Sequence, residues 1–136
     1  MTKSLSNVRV LIAEDDKDIC ELYSIAFKRS GFIVYTSPDG RSAIEKIKNK
    51  SPDIILLDIM MPNVDGYQVL KEVRKDPNKY TPVIMLTNLD SSHFEMNANF
   101  DDVDEYLIKS HYSPSDIVKK AIDVLRLNKI IDSEIE

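Results

Sequence analysis

The chain has 136 residues, 43% hydrophobic and 30% charged, enough for one domain with a substantial core. Its net charge of −5 and the lack of a Lys/Arg cluster leave no electrostatic footprint for direct nucleic-acid binding. No apolar run approaches the roughly 20 residues of a membrane helix, Met1 to Asn7 has no signal-peptide core, and the single cysteine, Cys20, excludes an internal disulfide or a zinc site. A cytoplasmic protein without membrane contact is expected, with no linker to a second domain.

The first element is the apolar run Val8–Ala13, a buried strand that ends in three acids, Glu14, Asp15 and Asp16. Ile19, Leu22, Tyr23, Ala26 and Phe27 then recur at the spacing of one helix face, and Ser30-Gly31 closes that helix with Gly31 as its cap. Phe32–Thr36 is a short strand of aromatic and β-branched residues, followed by the turn Ser37-Pro38-Asp39-Gly40. Residues 41–50 are helical with Ala43, Ile44 and Ile47 inward, and Ser51-Pro52 stops them. Ile54–Leu57 is a continuous apolar run, a strand buried on both faces as in a parallel sheet.

Asp58 ends that run and must emerge at the edge of the sheet, because an unpaired charge inside the apolar layer is too costly. Met61-Pro62 breaks the strand, and a third helix is expected from about Val64, burying Gly66, Val69, Leu70 and Val73. Pro82–Leu86 is the fourth strand and ends in Thr87. Asp90–Asn99 carries only the thin apolar stripe of Phe94 and Ala98 and reads as an exposed helix. Tyr106–Ile108 is the fifth strand, followed at once by Lys109. Ser113 starts the last helix, with Ile117, Ala121, Ile122 and Leu125 inward, and the tail after Leu127 extends that helix or frays.

Five strands alternating with five helices predict an α/β fold: a five-stranded parallel sheet with helices on both faces. The flavodoxin-like strand order 2-1-3-4-5 fits, with its crevice outside the C-terminal ends of strands one and three. The strand ends then bring the acids Glu14, Asp15, Asp16 and Asp58 to one rim with the hydroxyl of Thr87 and the amine of Lys109. Alone, each of these acids serves as well as a helix or loop cap, Thr87 as a turn residue and Lys109 as a solvated lysine. Together they point to chemistry. Clustered carboxylates repel unless a cation joins them, and magnesium takes few protein carboxylates and accepts phosphate oxygens. A lysine and a hydroxyl opposite suit a phosphoryl group, with one acid as nucleophile.

These motifs resemble the receiver domain of response regulators in two-component signalling, in its single-domain, chemotaxis-regulator-like form. The resemblance rests on Glu14-Asp15-Asp16, Asp58–Pro62 with Asp65-Gly66, Thr87, and Tyr106–Lys109, and covers about residues 8–127 of a single domain spanning 1–136. It implies that Asp58 accepts a phosphoryl group from a sensor histidine kinase or phosphotransfer protein. Asp15 and Asp16 would be the magnesium-holding acids, with Asp16, Asp58 and the Met60 carbonyl as direct ligands. Lys109 would pair with phosphate, Thr87 would be drawn to a phosphoryl oxygen, and Tyr106 would turn inward with it. Such a protein is no turnover enzyme; it catalyses only its own Mg-dependent phosphorylation and dephosphorylation. It acts through a downstream partner that the sequence does not name, at a surface formed by Asp90–Asn99, strand five and the last helix.

Three positions depart from the family. Ser110 stands where a proline with a cis bond is frequent. A cis bond before a non-proline residue costs about 2.5–4 kcal/mol, so Lys109-Ser110 is expected trans. Asn88 follows the switch threonine where a small residue is usual and would crowd the phosphate pocket, and Asp102-Val103 replaces the usual glycine-alanine. Competing classes fit less well. A phosphohydrolase with an Asp-x-Asp motif would need an acid at Met60, and a flavin protein would need a hydroxyl- and glycine-rich loop where three acids stand. A receiver-like adaptor that works without phosphorylation is the alternative.

Overall fold

In a computed structural model of the chain, the structure describes residues 2–75, 80–88 and 103–133. Five parallel strands, β1 (Arg9–Ala13), β2 (Ile33–Ser37), β3 (Ile54–Asp58), β4 (Val83–Thr87) and β5 (Glu105–Ile108), form one sheet in the order β2-β1-β3-β4-β5. Their burial follows position. The central β3 and β4 are buried at every residue, whereas the edge strands β2 and β5 are half-exposed. The continuous apolar runs of the sequence are those of strands covered on both faces.

The described helices are α1 (Lys17–Arg29), α2 (Gly40–Lys50), α3 (Gly66–Val73) and α4 (Pro114–Leu127). One core lies beneath α1 and α4, where Tyr23, Phe27, Ile117, Ala121 and Leu125 meet Val10, Ile12, Ile54 and Leu56. A second lies beneath α2 and α3, where Ala43, Ile47, Val69 and Val73 meet Leu11, Ile55, Leu57 and Met85. Alternate residues of each strand supply the two cores, as the strand period of two requires. The helix expected at Asp90–Asn99 lies outside the described residues.

Each of these four described α-helices begins with a side-chain cap. Asp16, Asp39, Asp65 and Ser113 accept backbone N–H groups from the first turns of α1, α2, α3 and α4. Such caps satisfy donors that a helix leaves without internal partners. Gly31 follows the end of α1 with φ 103°, the left-handed conformation that favours glycine.

Several sequence expectations shift. The third helix begins at Gly66 rather than near Val64, because Asn63 takes a left-handed conformation (φ 68°) and Asp65 caps α3. Leu22 does not join the inner face of α1 and is 55% exposed, while α4 also buries Val118 and Val124. The tail neither prolongs α4 nor frays over its described part. Asn128 caps the helix, and Ile131 is buried and bridges in parallel to Lys3.

Candidate functional site

The site lies at the C-terminal ends of β1, β3, β4 and β5. Ala13 is in register with Leu57 and Asp58 with Leu86, so the residues just beyond these strand ends are neighbours in space. Asp58 is the last residue of β3 and is buried. Its Oδ1 accepts the Met60 N–H at 3.1 Å, and its Oδ2 accepts from Lys109 Nζ at 3.0 Å. Lys109 opens a short 3-10 turn, Lys109–His111, directly after β5, so its amine reaches back over the sheet edge. The same amine also donates to Glu14 Oε1. Glu14 is buried as well, and its other oxygen accepts the Asp16 N–H at 3.1 Å.

The electrostatics follow from this crowding. Burial, a hydrogen bond with Glu14 and the Glu14 charge push the Asp58 carboxyl up to about 7, against the pull of Lys109. Burial alone would lower the Lys109 amine, but the bonds and charges of Glu14 and Asp58 outweigh it and hold that amine above its ordinary range. Three carboxylates, from Glu14, Asp15 and Asp58, bring one ligand oxygen each to within 4.8 Å of one another. A hard divalent cation with retained waters suits that donor set, and one lysine alone leaves it underneutralised.

Of the four acids expected at the rim, the structure brings Asp15 and Asp58 together with Glu14, and Asp16 is not in that group. Asp16 Oδ1 instead accepts the Asp18 and Ile19 N–H groups at 3.0 and 3.1 Å as the cap of α1. Glu14 stood in the sequence among the three acids of the rim. The signal that singles it out is the β1–β3 register, which makes the residue after Ala13 the neighbour of Asp58.

Met60 follows Asp58 by two residues and is 61% exposed. Thr87 ends β4, fully buried, and pairs with Ile108 of β5. Asn88 is exposed directly after it. Tyr106 pairs with Met85 and is half-buried against the α2–α3 core. Cys20 is half-buried on α1, and burial pushes its thiol up, which makes it a poor nucleophile. No described helix is long and apolar enough to cross a membrane.

Residues 10–122 match the family model for the response regulator receiver domain. Among curated proteins, the alkaline phosphatase synthesis transcriptional regulatory protein PhoP of Bacillus subtilis is 32% identical over 124 residues, covering 91% of this chain and 51% of that protein. The chain thus spans about half the length of the curated relatives it matches. Among solved structures, the receiver domain of Francisella response regulator 1452 superposes with a TM-score of 0.80 at 33% identity, covering 90% of this chain and all (100%) of that one. The Thermotoga maritima response regulator TrrA, solved in complex with Mg(2+)-BeF, gives a TM-score of 0.77 at 29% identity, covering 88% and 100%.

Proposed function

Since the chain belongs to the response-regulator receiver domain family of two-component signalling, we propose that Asp58 is its phosphoacceptor and that phosphorylation there switches a partner-binding surface. The observation that carries this reading is the position of Asp58: buried at the end of β3, with Lys109 Nζ 3.0 Å away and two further carboxylates beside it. An Asp58 oxygen attacks the phosphorus of a phosphohistidine on a sensor kinase or phosphotransfer protein. The P–N bond breaks, and its electron pair stays with the imidazole. Lys109 exchanges its contact with the carboxylate for one with the new phosphoryl oxygens, a charge-assisted bond. Thr87, at the end of the neighbouring strand, supplies a hydroxyl to another of those oxygens.

The residues present fit a magnesium ion. Glu14, Asp15 and Asp58 would hold it, together with the Met60 carbonyl. When bound, such an ion offsets the charge that gathers on the transferring group. Binding would release Glu14 and Asp58 from mutual repulsion and free Lys109 for the phosphoryl group. Phosphorylation brings about two negative charges and new acceptors. These bias β4 and β5, with Thr87 and Tyr106, toward a second arrangement that β5 and α4 present to a partner. The protein would work in the cytoplasm, without a turnover substrate.

The test is chemical mapping. Borohydride reduction of the acyl phosphate, after incubation with a phosphorylated histidine kinase domain and magnesium, converts the acceptor aspartate to homoserine. Tandem mass spectrometry should place homoserine at residue 58; homoserine at Asp15 or Asp16, or none at all, overturns the assignment.

A further inference from the structure

The loop from Ile59 to Asp65 carries Met60, and two glycines from different elements press on it. On one side is Gly66, the first residue of α3. A β-carbon there would lie 2.5 Å from the Asp58 carbonyl oxygen and 2.8 Å from Ile59 Cα, and the Gly66 N–H donates to Ile59 O at 2.9 Å. On the other side is Gly40, the first residue of α2, which is buried. A β-carbon on Gly40 would overlap the Val64 carbonyl oxygen and lie 2.7 and 2.8 Å from Val64 Cβ and Cγ1. Real β-carbons do not approach other atoms so closely, and the obstacle is partly backbone, so a side chain there cannot be relieved by a rotamer change.

Gly40 does not owe its identity to backbone torsion. Gly31 is the described glycine with positive φ, and Gly40 is not in that region. What requires glycine at position 40 is the approach of the loop. That approach is itself specified. Asn63 adopts φ 68° and the Val64 N–H donates to Pro62 O at 2.8 Å, closing a tight three-residue turn that aims the Val64 carbonyl at α2. The Asp39 cap, accepting the Ser42 N–H at 2.8 Å, fixes the first turn of α2 against which that carbonyl rests. The loop is thus held at both ends, and between them the Met60 N–H bonds to Asp58 Oδ1.

We infer that Gly40 is a positioning residue for the acid site. By admitting the Val64 carbonyl, it seats the loop at the height where the Met60 backbone meets the Asp58 carboxylate. The inference deepens the proposed magnesium-dependent function and rests on it. Gly40 touches neither metal nor phosphate. It acts through Val64 and the turn at Asn63, over the interval from α2 to the rim of β3.

The test is magnesium affinity by isothermal titration calorimetry on the full chain, with the Met60 amide followed by NMR. Gly40→Ala should weaken magnesium binding about tenfold and shift the Met60 amide. Val64→Ala trims the side chain of the same contact without adding bulk, so it keeps the test open if Gly40→Ala does not fold; a two- to fivefold weakening is expected. Val124→Ala, in the core beneath α4, is the control for lost stability alone and should keep wild-type affinity. Wild-type affinity and an unmoved Met60 amide in both loop variants overturn the inference and leave the proposed function standing. So does an equal weakening in Val124→Ala. A wild-type chain that binds no magnesium overturns both.

Discussion

Lys109 Nζ lies 3.0 Å from Asp58 Oδ2, although the two residues belong to the ends of strands that do not touch. Both side chains are nearly inaccessible, at 7% and 5% exposure, and the same amine also binds Glu14. One cation therefore restrains two buried carboxylates, and whatever changes the charge of Asp58 changes what Lys109 must hold. Removing one member of a buried charged group strands the others. In the absence of magnesium, Lys109→Met should lower unfolding stability by about 3 kcal/mol, read from urea titration, with saturating magnesium restoring part of it. An unchanged urea midpoint would show that the lysine neutralises nothing.

Asp58 also makes the metal-free protein sensitive to pH. Its carboxyl rises from 3.8 to about 7 on folding, so the folded chain holds more protons than the unfolded chain between those values. Stability from this group is full below the lower value and is lost as pH rises through the upper one. Without magnesium, the stability of Asp58→Asn relative to wild type should rise by about 2–3 kcal/mol between pH 5 and pH 8. Parallel urea midpoints of the two proteins across that range would contradict the burial of a shared charge.

The choice of metal-holding acids separates Glu14 from Asp16. Glu14→Gln should weaken magnesium binding at least tenfold. Asp16→Ala removes the α1 cap and should cost about 1 kcal/mol of stability, with magnesium affinity within twofold of wild type. In wild type, magnesium at one hundred times its dissociation constant should add about 2.7 kcal/mol, seen as a rise in melting temperature that is at least halved in Glu14→Gln at the same concentration. The reverse pattern, with Asp16→Ala losing the rise, would return the metal to the acid that caps α1.

Thr87 is expected to transmit rather than to accept. Thr87→Val keeps the volume and removes the hydroxyl, so Asp58 should still be phosphorylated in the presence of magnesium. The ring resonances of Tyr106 should then stay at their unphosphorylated positions, whereas in wild type they move. A wild-type shift in Thr87→Val would remove the hydroxyl from the switch.

Much of this was legible in the sequence for a physical reason. Ile54–Leu57 has no polar residue to face water, so it had to be a central strand, and Asp58 had to stand where that strand leaves the apolar layer. Lys109 and Thr87 were legible in the same way, as the first polar groups after apolar runs. Four things were not. Glu14, Asp15 and Asp16 are consecutive, and composition cannot say which of them faces Asp58; the register of β1 on β3 decides it. Asparagine takes a left-handed turn more readily than most residues, but the letters do not say whether Asn63 does so here, and with it whether α3 starts near Val64 or at Gly66. Ile131 falls seven residues after Val124, on the period of α4, so the letters do not show that the helix stops at Asn128 and that Ile131 joins the core beyond it, bridged to Lys3. Gly40 read as part of a turn, because the approach of Val64 is a relation between elements that local pattern does not contain.

The most direct test of the switch is the intact mass of the protein after incubation with acetyl phosphate and magnesium. One added phosphoryl group is expected on the wild-type chain, absent in Asp58→Asn and absent when magnesium is chelated. An unmodified wild-type mass, repeated with a phosphorylated histidine kinase as donor, would contradict phosphorylation at Asp58 and identify a receiver fold that serves its partners without it.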